Sequence, residues 1–123
     1  MDNPYKGVTG VRRIRLALGY SLAGLQAAYR GEAAFRQLVW LAVVLIPVAC
    51  LVPVSSTARA LLIGSVLFSL VVELLNSAIE AAIDRISLEL HPLSKAAKDM
   101  GSAAQLLSML MIAVVWVLVL FGG

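Results

Sequence analysis

An apolar run long enough to cross a membrane contains a row of polar and ionisable side chains. The run covers residues 60–83 and continues into Asp84 and Arg85. At about 100° per residue of an α-helix, the polar members of the run fall on one stripe. This polar stripe consists of Ser69, Glu73, Asn76, Ser77, Glu80, Asp84 and Ser87. Ionisable groups are costly in hydrocarbon, so the stripe indicates a functional site. The alternative is a polar face that only joins helices, but such a face usually uses Ser, Thr or a single Asn.

Composition and the lengths of the apolar runs predict an all-α integral membrane protein. Of the 123 residues, 61% are hydrophobic and 14% are charged, and the chain is too short for two domains. Apolar runs at 38–54, 60–83 and 103–121 would form helices of about 26, 36 and 28 Å, against roughly 30 Å of hydrocarbon core. We predict a single membrane domain over 1–123, with its middle helix extending into the cytoplasm. The spans are predicted at about 36–54, 58–90 and 100–121.

The N-terminal segment has the pattern of a helix that lies in the membrane interface. Apolar residues recur there at spacings of three and four, which places them on one narrow helical face. They are Val11, Ile14, Leu18, Leu22, Leu25 and Tyr29. Basic side chains flank this face, as in helices that lie flat on a bilayer. We predict such a helix over about 6–31; the alternative is a soluble helix that packs on a partner domain.

The distribution of basic residues predicts the orientation in the membrane. Nine of the ten lie before the first span or between the second and third, and Arg59 alone marks the turn between the first two spans. The nine are Lys6, Arg12, Arg13, Arg15, Arg30, Arg36, Arg85, Lys95 and Lys98. By the positive-inside rule, the N-terminus and the 85–98 loop are cytoplasmic and the C-terminus is periplasmic. The positive charge suits anionic lipid headgroups, and the sequence contains no motif for reading nucleic acid.

Three carboxylates are candidates for metal binding and proton transfer. Glu32 lies at the junction of the interfacial helix and the first span, Glu73 lies inside the bilayer, and Glu80 lies two turns nearer the cytoplasm. Two or three carboxylates near the interface can hold Mg²⁺, which prefers oxygen ligands and keeps some of its waters. A carboxylate that is shielded from bulk water is a suitable general base for a hydroxyl.

The sequence contains no familiar phosphate-binding loop. Phosphoryl transfer needs only positioning, a metal and positive charge. Arg13, Lys95 and Lys98 could supply the positive charge. Asp99 or Ser102 could contribute to such a site at the start of the third span, or either could be a plain helix N-cap. The sequence alone leaves both readings open.

Two residue types occur once each. Cys50 lies in the first apolar run and is predicted to be a small core residue. Pro92 is expected to end the middle helix, which places His91 at a helix C-terminus. A histidine there usually interacts with the helix dipole, but its position beside the polar stripe also permits a ligand contact.

Three segments resemble the small prokaryotic integral-membrane diacylglycerol kinases. They are GYSLAGLQAAYRGEAAFRQ, VELLNSAIEAAIDRIS and SKAAKDMGSAAQ, and the similarity extends over nearly the whole chain. The resemblance implies a homotrimer of three-span subunits, each with an interfacial N-terminal helix. It also implies an enzyme of the bacterial cytoplasmic membrane that phosphorylates diacylglycerol with Mg-ATP to give phosphatidic acid.

The resemblance also implies roles for individual residues. Glu73 would be the catalytic base with Asn76 in a supporting polar role, and Glu32 and Glu80 would bind Mg²⁺. Contacts to the nucleotide would come from Arg13, Tyr20, Glu32, Glu80, Glu89, Leu90, His91, Lys98 and Asp99. Contacts to the lipid would come from Arg13, Ser21, Gln26, Arg36, Arg59, Glu73 and Ser102.

The chain departs from some relatives at two positions, and other functions remain as alternatives. Leu38 and Leu22 stand where some relatives carry Glu and Trp, so a role for that acidic side chain is in doubt here. A related branch phosphorylates undecaprenol, and this lipid is the first alternative. A small proton-coupled transporter is the second, although the sequence has no inverted repeat and its carboxylates gather at one interface. A purely structural oligomer would leave the acidic cluster beside a basic loop without a reason.

Overall fold

Four helices account for nearly all of residues 9–123, which are the residues that the computed structural model describes. The helices are α1 (Gly10–Gly31), α2 (Ala33–Leu51), α3 (Ser56–Ile86) and α4 (Pro92–Phe121). The last three are each long and apolar enough to cross a membrane, so the prediction of three spans after an N-terminal helix is confirmed. Lys6 and the predicted helix start at 6–8 lie outside the described residues.

The breaks between the first three helices are short and have clear local causes. Glu32 alone separates α1 from α2, in an extended conformation with φ −122° and ψ 111°. Ser55 caps α3, since its Oγ accepts a hydrogen bond from the backbone N–H of Ala58 at 3.1 Å. Pro53 lies between α2 and α3, where a residue without an N–H group is tolerated. Because Glu32 is the residue between α1 and α2, it lies at the predicted junction of the interfacial helix and the first span.

The connection between α3 and α4 differs from the prediction. Helix α3 ends at Ile86 rather than near residue 90, and five residues at 87–91 lead to α4. His91 is the N-cap of α4, not a C-terminal residue of α3: its Nδ1 accepts a hydrogen bond from the backbone N–H of Leu93 at 3.0 Å. Pro92 starts the helix because its fixed φ suits the first helical position, where no N–H bond is needed.

The early start of α4 settles a second open question. Helix α4 begins at Pro92, so Asp99 and Ser102 lie inside it and neither is its N-cap. The predicted start of the third span near residue 100 is therefore the point beyond which α4 carries no charged side chain. The segment before that point is a helical turn or two that carries Lys95 and Lys98.

Helix α3 is central, and its two halves have different surroundings. It packs most extensively against α4 and next against α2, whereas α1 makes few contacts with either α2 or α3. The buried apolar core gathers around its first half and consists of Ala42, Ala49, Leu62, Val66, Ile112 and Trp116. Trp116 Nε1 donates a hydrogen bond to the Leu62 carbonyl at 3.2 Å. The second half of α3 carries the polar stripe.

Candidate active site

The polar stripe of α3 runs from the interior of the bundle to its surface. Ser69 and Glu73 are buried, with 0% and 6% of their surface exposed. Further along the helix, Asn76 and Glu80 are half-buried and Asp84 is exposed. An ionisable side chain therefore lies buried at mid-helix, and others connect its position with the surface, as the sequence pattern predicts.

Gln105 of α4 is the direct partner of Glu73. Its Nε2 donates hydrogen bonds to Glu73 Oε2 at 3.1 Å and to the Ser69 carbonyl at 3.2 Å. Ser108 Oγ in turn bonds Gln105 Oε1. Sequence reasoning assigned no role to Gln105, although it is one of two uncharged polar side chains in the otherwise apolar run 103–121. Its spacing of three residues from the other, Ser108, was the available signal, because such a spacing places both on one helical face.

The three predicted carboxylates gather around one region. Glu80 lies two turns from Glu73 on the same stripe of α3, and Glu32 lies at the start of α2, beside that part of α3. Glu32 also lines a cavity of about 600 Å³ between α1 and α3, together with Ser21. This α1–α3 cavity has an otherwise largely apolar wall that includes Leu25, Ala28, Leu74 and Ala78. A residue predicted to bind metal and one predicted to bind lipid thus share a cavity.

The carboxylates fit a magnesium ion that is shared with a substrate. Within residues 9–123, no group of three or more His, Cys, Asp or Glu side chains is arranged to enclose a metal. Glu32 and Glu80 are hard oxygen donors, and Mg²⁺ is usually bound through one or two carboxylates together with waters and substrate phosphates. The donor chemistry therefore suits Mg²⁺ at a site that phosphate oxygens complete.

Asn76 marks the closest approach of α3 and α4. A Cβ atom at Gly101 would overlap Asn76 Oδ1, so only glycine lets α4 lie this near to α3. Asn76 Oδ1 is buried and has no hydrogen-bond partner among the described residues. Buried polar atoms rarely lack a partner, and those that do are often found at functional sites.

A second cavity lies where α3 joins α4. This connection cavity has a volume of about 170 Å³ and brings together five of the residues that the resemblance assigns to the nucleotide. They are Glu89, Leu90, His91, Lys98 and Asp99. Two ion pairs border it, Lys98 Nζ to Asp84 Oδ1 at 2.8 Å and Lys95 Nζ to Asp99 Oδ2 at 2.6 Å. Arg13 and Tyr20 lie on α1 and do not line this cavity.

Two of the three arginines predicted to contact lipid, Arg36 and Arg59, are bound to backbone carbonyls. Arg36 Nη1 donates to the carbonyls of Tyr29 and Arg30, both at 2.9 Å, at the end of α1. The guanidinium of Arg59 donates to three carbonyls that follow or end α2: Ala49, Cys50 and Val54. Fourteen residues of α3, about 21 Å, separate Arg59 from Glu73. Arg59 therefore lies at the end of the bundle opposite the connection cavity. Gln26 and Ser102 are exposed on α1 and α4.

The fold and the site together define a class: an α-helical membrane protein with a buried carboxylate at mid-helix and a charged cavity at one end of its spans. Comparison with known proteins narrows this class. The family model for prokaryotic diacylglycerol kinase matches residues 19–120. The chain belongs to the prokaryotic diacylglycerol kinase family, which confirms the resemblance seen in its motifs.

Individual relatives match over nearly their full length. The chain is similar to a diacylglycerol kinase of Pseudomonas aeruginosa, with 64% identity over 120 residues that cover 98% of each protein. It is also similar to a diacylglycerol kinase of Escherichia coli, with 48% identity over 114 residues and 93% of each protein. A diacylglycerol kinase of Haemophilus influenzae shares 41% identity over 113 residues, which cover 92% of this chain and 96% of the relative.

Proposed function

We propose that this protein transfers the γ-phosphoryl group of ATP to the hydroxyl of diacylglycerol, giving phosphatidic acid and ADP. The observation that carries the proposal is the placement of Glu73. Its carboxylate is buried at mid-helix in α3, between the apolar half of the bundle and the charged connection cavity. A lipid hydroxyl comes from the membrane and ATP comes from water, so a site for both must lie at such a boundary.

Glu73 acts as the general base in this proposal. Its carboxylate accepts the proton of the lipid hydroxyl while the hydroxyl oxygen forms a bond to the γ-phosphorus. The bond between that phosphorus and the oxygen of the β-phosphate breaks, and ADP leaves with the electron pair. A positioned base contributes roughly 10²- to 10⁴-fold to such a step. Asn76, one turn away on the same stripe, supports the site with its amide.

Glu32 and Glu80 hold the Mg²⁺ ion that accompanies ATP. Glu80 lies two turns nearer than Glu73 to the exposed end of the polar stripe, and Glu32 lies between α1 and α2, where it lines the α1–α3 cavity. The ion, when bound, neutralises charge on the phosphate oxygens, which is its usual contribution to phosphoryl transfer.

The connection cavity receives the nucleotide. Lys98 and Lys95 supply positive charge for its phosphates, and each now pairs with a carboxylate that the phosphates could replace. Both pairs are largely exposed, so exchanging one anionic partner for another costs little. Glu89, Leu90, His91 and Asp99 also line this cavity. Arg13, Tyr20, Glu32 and Glu80 lie outside its wall, and we place them at the nucleotide because the family resemblance implies it.

The lipid approaches Glu73 from the side on which α2 and α4 flank α3. A cavity of about 340 Å³ beside Glu73 is lined by Ala34, Gln37, Leu38, Leu41, Gln105 and Met109. This Glu73 cavity is mostly apolar, which suits a glycerol backbone that carries acyl chains. The proposed lipid contacts are Arg13, Ser21, Gln26, Arg36, Arg59, Glu73 and Ser102. Leu38 is buried and takes the place of an acidic residue of some relatives.

A lipid-dependent ATPase assay tests the proposal. Purified protein in lipid-doped micelles with Mg²⁺ should consume ATP when diacylglycerol is added, and phosphatidic acid should accumulate in equal amount. Ceramide and undecaprenol serve as comparison alcohols. Faster turnover with undecaprenol would identify undecaprenol, and not diacylglycerol, as the substrate. Two results would contradict a lipid kinase: ATP consumption that does not depend on any of the lipid alcohols, and a folded sample that consumes no ATP with any of them.

A further inference from the structure

We propose that Gln105 is a positioning residue, which holds the carboxylate of Glu73 in one orientation for its reaction with the lipid hydroxyl. The proposal rests on the function proposed above, because it needs Glu73 to be the base. Gln105 is half-buried on α4, whereas every other residue assigned above to proton transfer or metal binding lies on α3 or at the start of α2.

The amide of Gln105 binds both the backbone and the side chain of one turn of α3. One N–H of Nε2 points to the Ser69 carbonyl at 3.2 Å and the other to Glu73 Oε2 at 3.1 Å. Both are acceptors only, so this end of the amide must be the nitrogen. The contact to Ser69 fixes where the amide lies along α3, and the contact to Glu73 then fixes where the carboxylate lies.

Ser108 holds the other end of the same amide. Its hydroxyl bonds Gln105 Oε1 and also contacts the Gln105 carbonyl at 3.0 Å, and the residue is buried with 1% of its surface exposed. The chain of contacts therefore runs from buried Ser108 through half-buried Gln105 to buried Glu73. Each link donates toward the carboxylate, so the whole chain favours one arrangement of the amide.

Fixing one oxygen of the carboxylate leaves a defined role for the other. Gln105 engages Oε2, so Oε1 is the atom that accepts the proton of the hydroxyl. A glutamate side chain has three rotatable bonds, and the largely apolar Glu73 cavity offers few groups that could restrict them. A base must be held close to its reacting geometry for full efficiency, and a hydrogen bond from a rigid partner does this.

Gln105→Met tests the proposal, because methionine keeps the length of the side chain and cannot donate. We expect kcat to fall about tenfold, the size of effect that a lost hydrogen bond to a charged group typically has. The KM values for ATP and for diacylglycerol should change less than about twofold, because a positioning residue acts on the chemical step. Leu106→Met, at the neighbouring position with 71% of the side chain exposed, is the matched control and should keep both parameters.

A combination with Glu73→Gln distinguishes positioning from a general structural role. Once the base is gone, Gln105→Met should cause no further loss of the residual rate, because it has nothing left to position. A further tenfold loss in the double variant would overturn the proposal, as would a normal kcat in Gln105→Met. If Gln105→Met fails to assemble, Ser108→Ala replaces it, with an expected fall in kcat of about threefold at unchanged KM.

The same set separates this proposal from the function on which it rests. If Glu73→Gln keeps normal turnover, Glu73 is not the base, and the proposed mechanism fails together with the role of Gln105. If Glu73→Gln is inactive while Gln105→Met and Ser108→Ala match the control, only the role of Gln105 fails.

Discussion

Glu73 and Glu80 on α3 and Glu32 before α2 are similar side chains in different surroundings, and the roles that we propose for them follow this difference. Glu73 is 6% exposed and bound by an amide, whereas Glu80 and Glu32 are half-buried and Glu32 lines the open α1–α3 cavity. A buried, shielded carboxylate suits proton transfer, and carboxylates within reach of water suit a hydrated cation. In the sequence the three residues differ only in position. The helix packing makes them differ in burial, since Glu73 is buried more deeply than Glu80 and Glu32.

Substitution with the isosteric amide should separate these roles experimentally. Glu73→Gln should lower turnover by about 10²-fold or more with nearly unchanged affinity for nucleotide and Mg²⁺. Glu80→Gln or Glu32→Gln should raise the Mg²⁺ concentration for half-maximal activity, and excess Mg²⁺ should restore part of the rate. A Mg²⁺ titration of each variant, after gel filtration to check assembly, makes the comparison. Rescue of Glu73→Gln by Mg²⁺ without rescue of Glu80→Gln would reverse the assignment.

Gly101, the one glycine within α4, should tolerate substitution poorly. A methyl group there would overlap Asn76 Oδ1, so Gly101→Ala should lower the free energy of unfolding by about 1–3 kcal/mol, the usual cost of overpacking. Gly64→Ala, on α3, is the control, since a Cβ atom at that position meets nothing within 4 Å. Unfolding in mixed micelles measures both. Equal stability of the two variants would mean that α3 and α4 separate easily at this point.

At this scale, the sequence predicted the residues of α3 and missed their partner on α4. Glu73, Asn76 and Glu80 stand out because polar side chains in an apolar run are unusual. Gln105 does not, because it lies only a few residues after Lys98 and Asp99, where polar residues are common. Its importance depends on which helix faces α3, and spacing along one helix cannot give that.

Among the elements, the junction of α3 and α4 shows how a local rule can be applied to the wrong helix. The sequence predicts that Pro92 ends the middle helix, yet Pro92 starts α4 and His91 caps it. Both readings satisfy the constraint that proline lacks an N–H group. The five residues at 87–91 are therefore a connection rather than the end of α3, and this is what opens the connection cavity.

The ion pair across this junction provides the next prediction. Lys98→Met should raise the KM for ATP several-fold through a lost phosphate contact, with little change in thermal stability, because the pair with Asp84 is exposed. Asp84→Asn breaks the same pair and keeps the lysine, so its KM should stay close to the wild-type value. Steady-state kinetics with varied ATP measures both. If the two variants raise KM equally, the ion pair rather than the lysine is required.

The whole molecule presents apolar surface on most sides. All six apolar residues of the predicted α1 face are exposed, from Tyr29 at 37% to Val11 at 73%. An exposed apolar helical face beside basic side chains is what a membrane interface would cover. We expect the N-terminus to be cytoplasmic and the C-terminus periplasmic. Cysteines at Asn3 and at Gly123, each in a Cys50→Ser background, should react from opposite sides of intact cells, and equal labelling from outside would refute this orientation.

A single subunit also leaves part of its polar stripe uncovered. Ser77 and Glu80 are only half-buried, and exposing them to hydrocarbon would be costly. We expect copies of the chain to assemble with this face inward, and the family resemblance implies three of them. Light scattering in detergent should give a protein mass near three times 13.1 kDa in the active fraction. Activity in a fraction with the mass of one chain would contradict the assembly.

The depth of Glu73 has a consequence for how water is kept from the reaction. Soluble phosphotransferases commonly close a loop or a domain over their substrates for this purpose. Glu73 lies eleven residues, about 16 Å along α3, from Asp84 at the exposed end of the stripe. At that depth the hydrocarbon of the bilayer can exclude water by itself. The membrane would then be the cover of the active site as well as the source of its substrate.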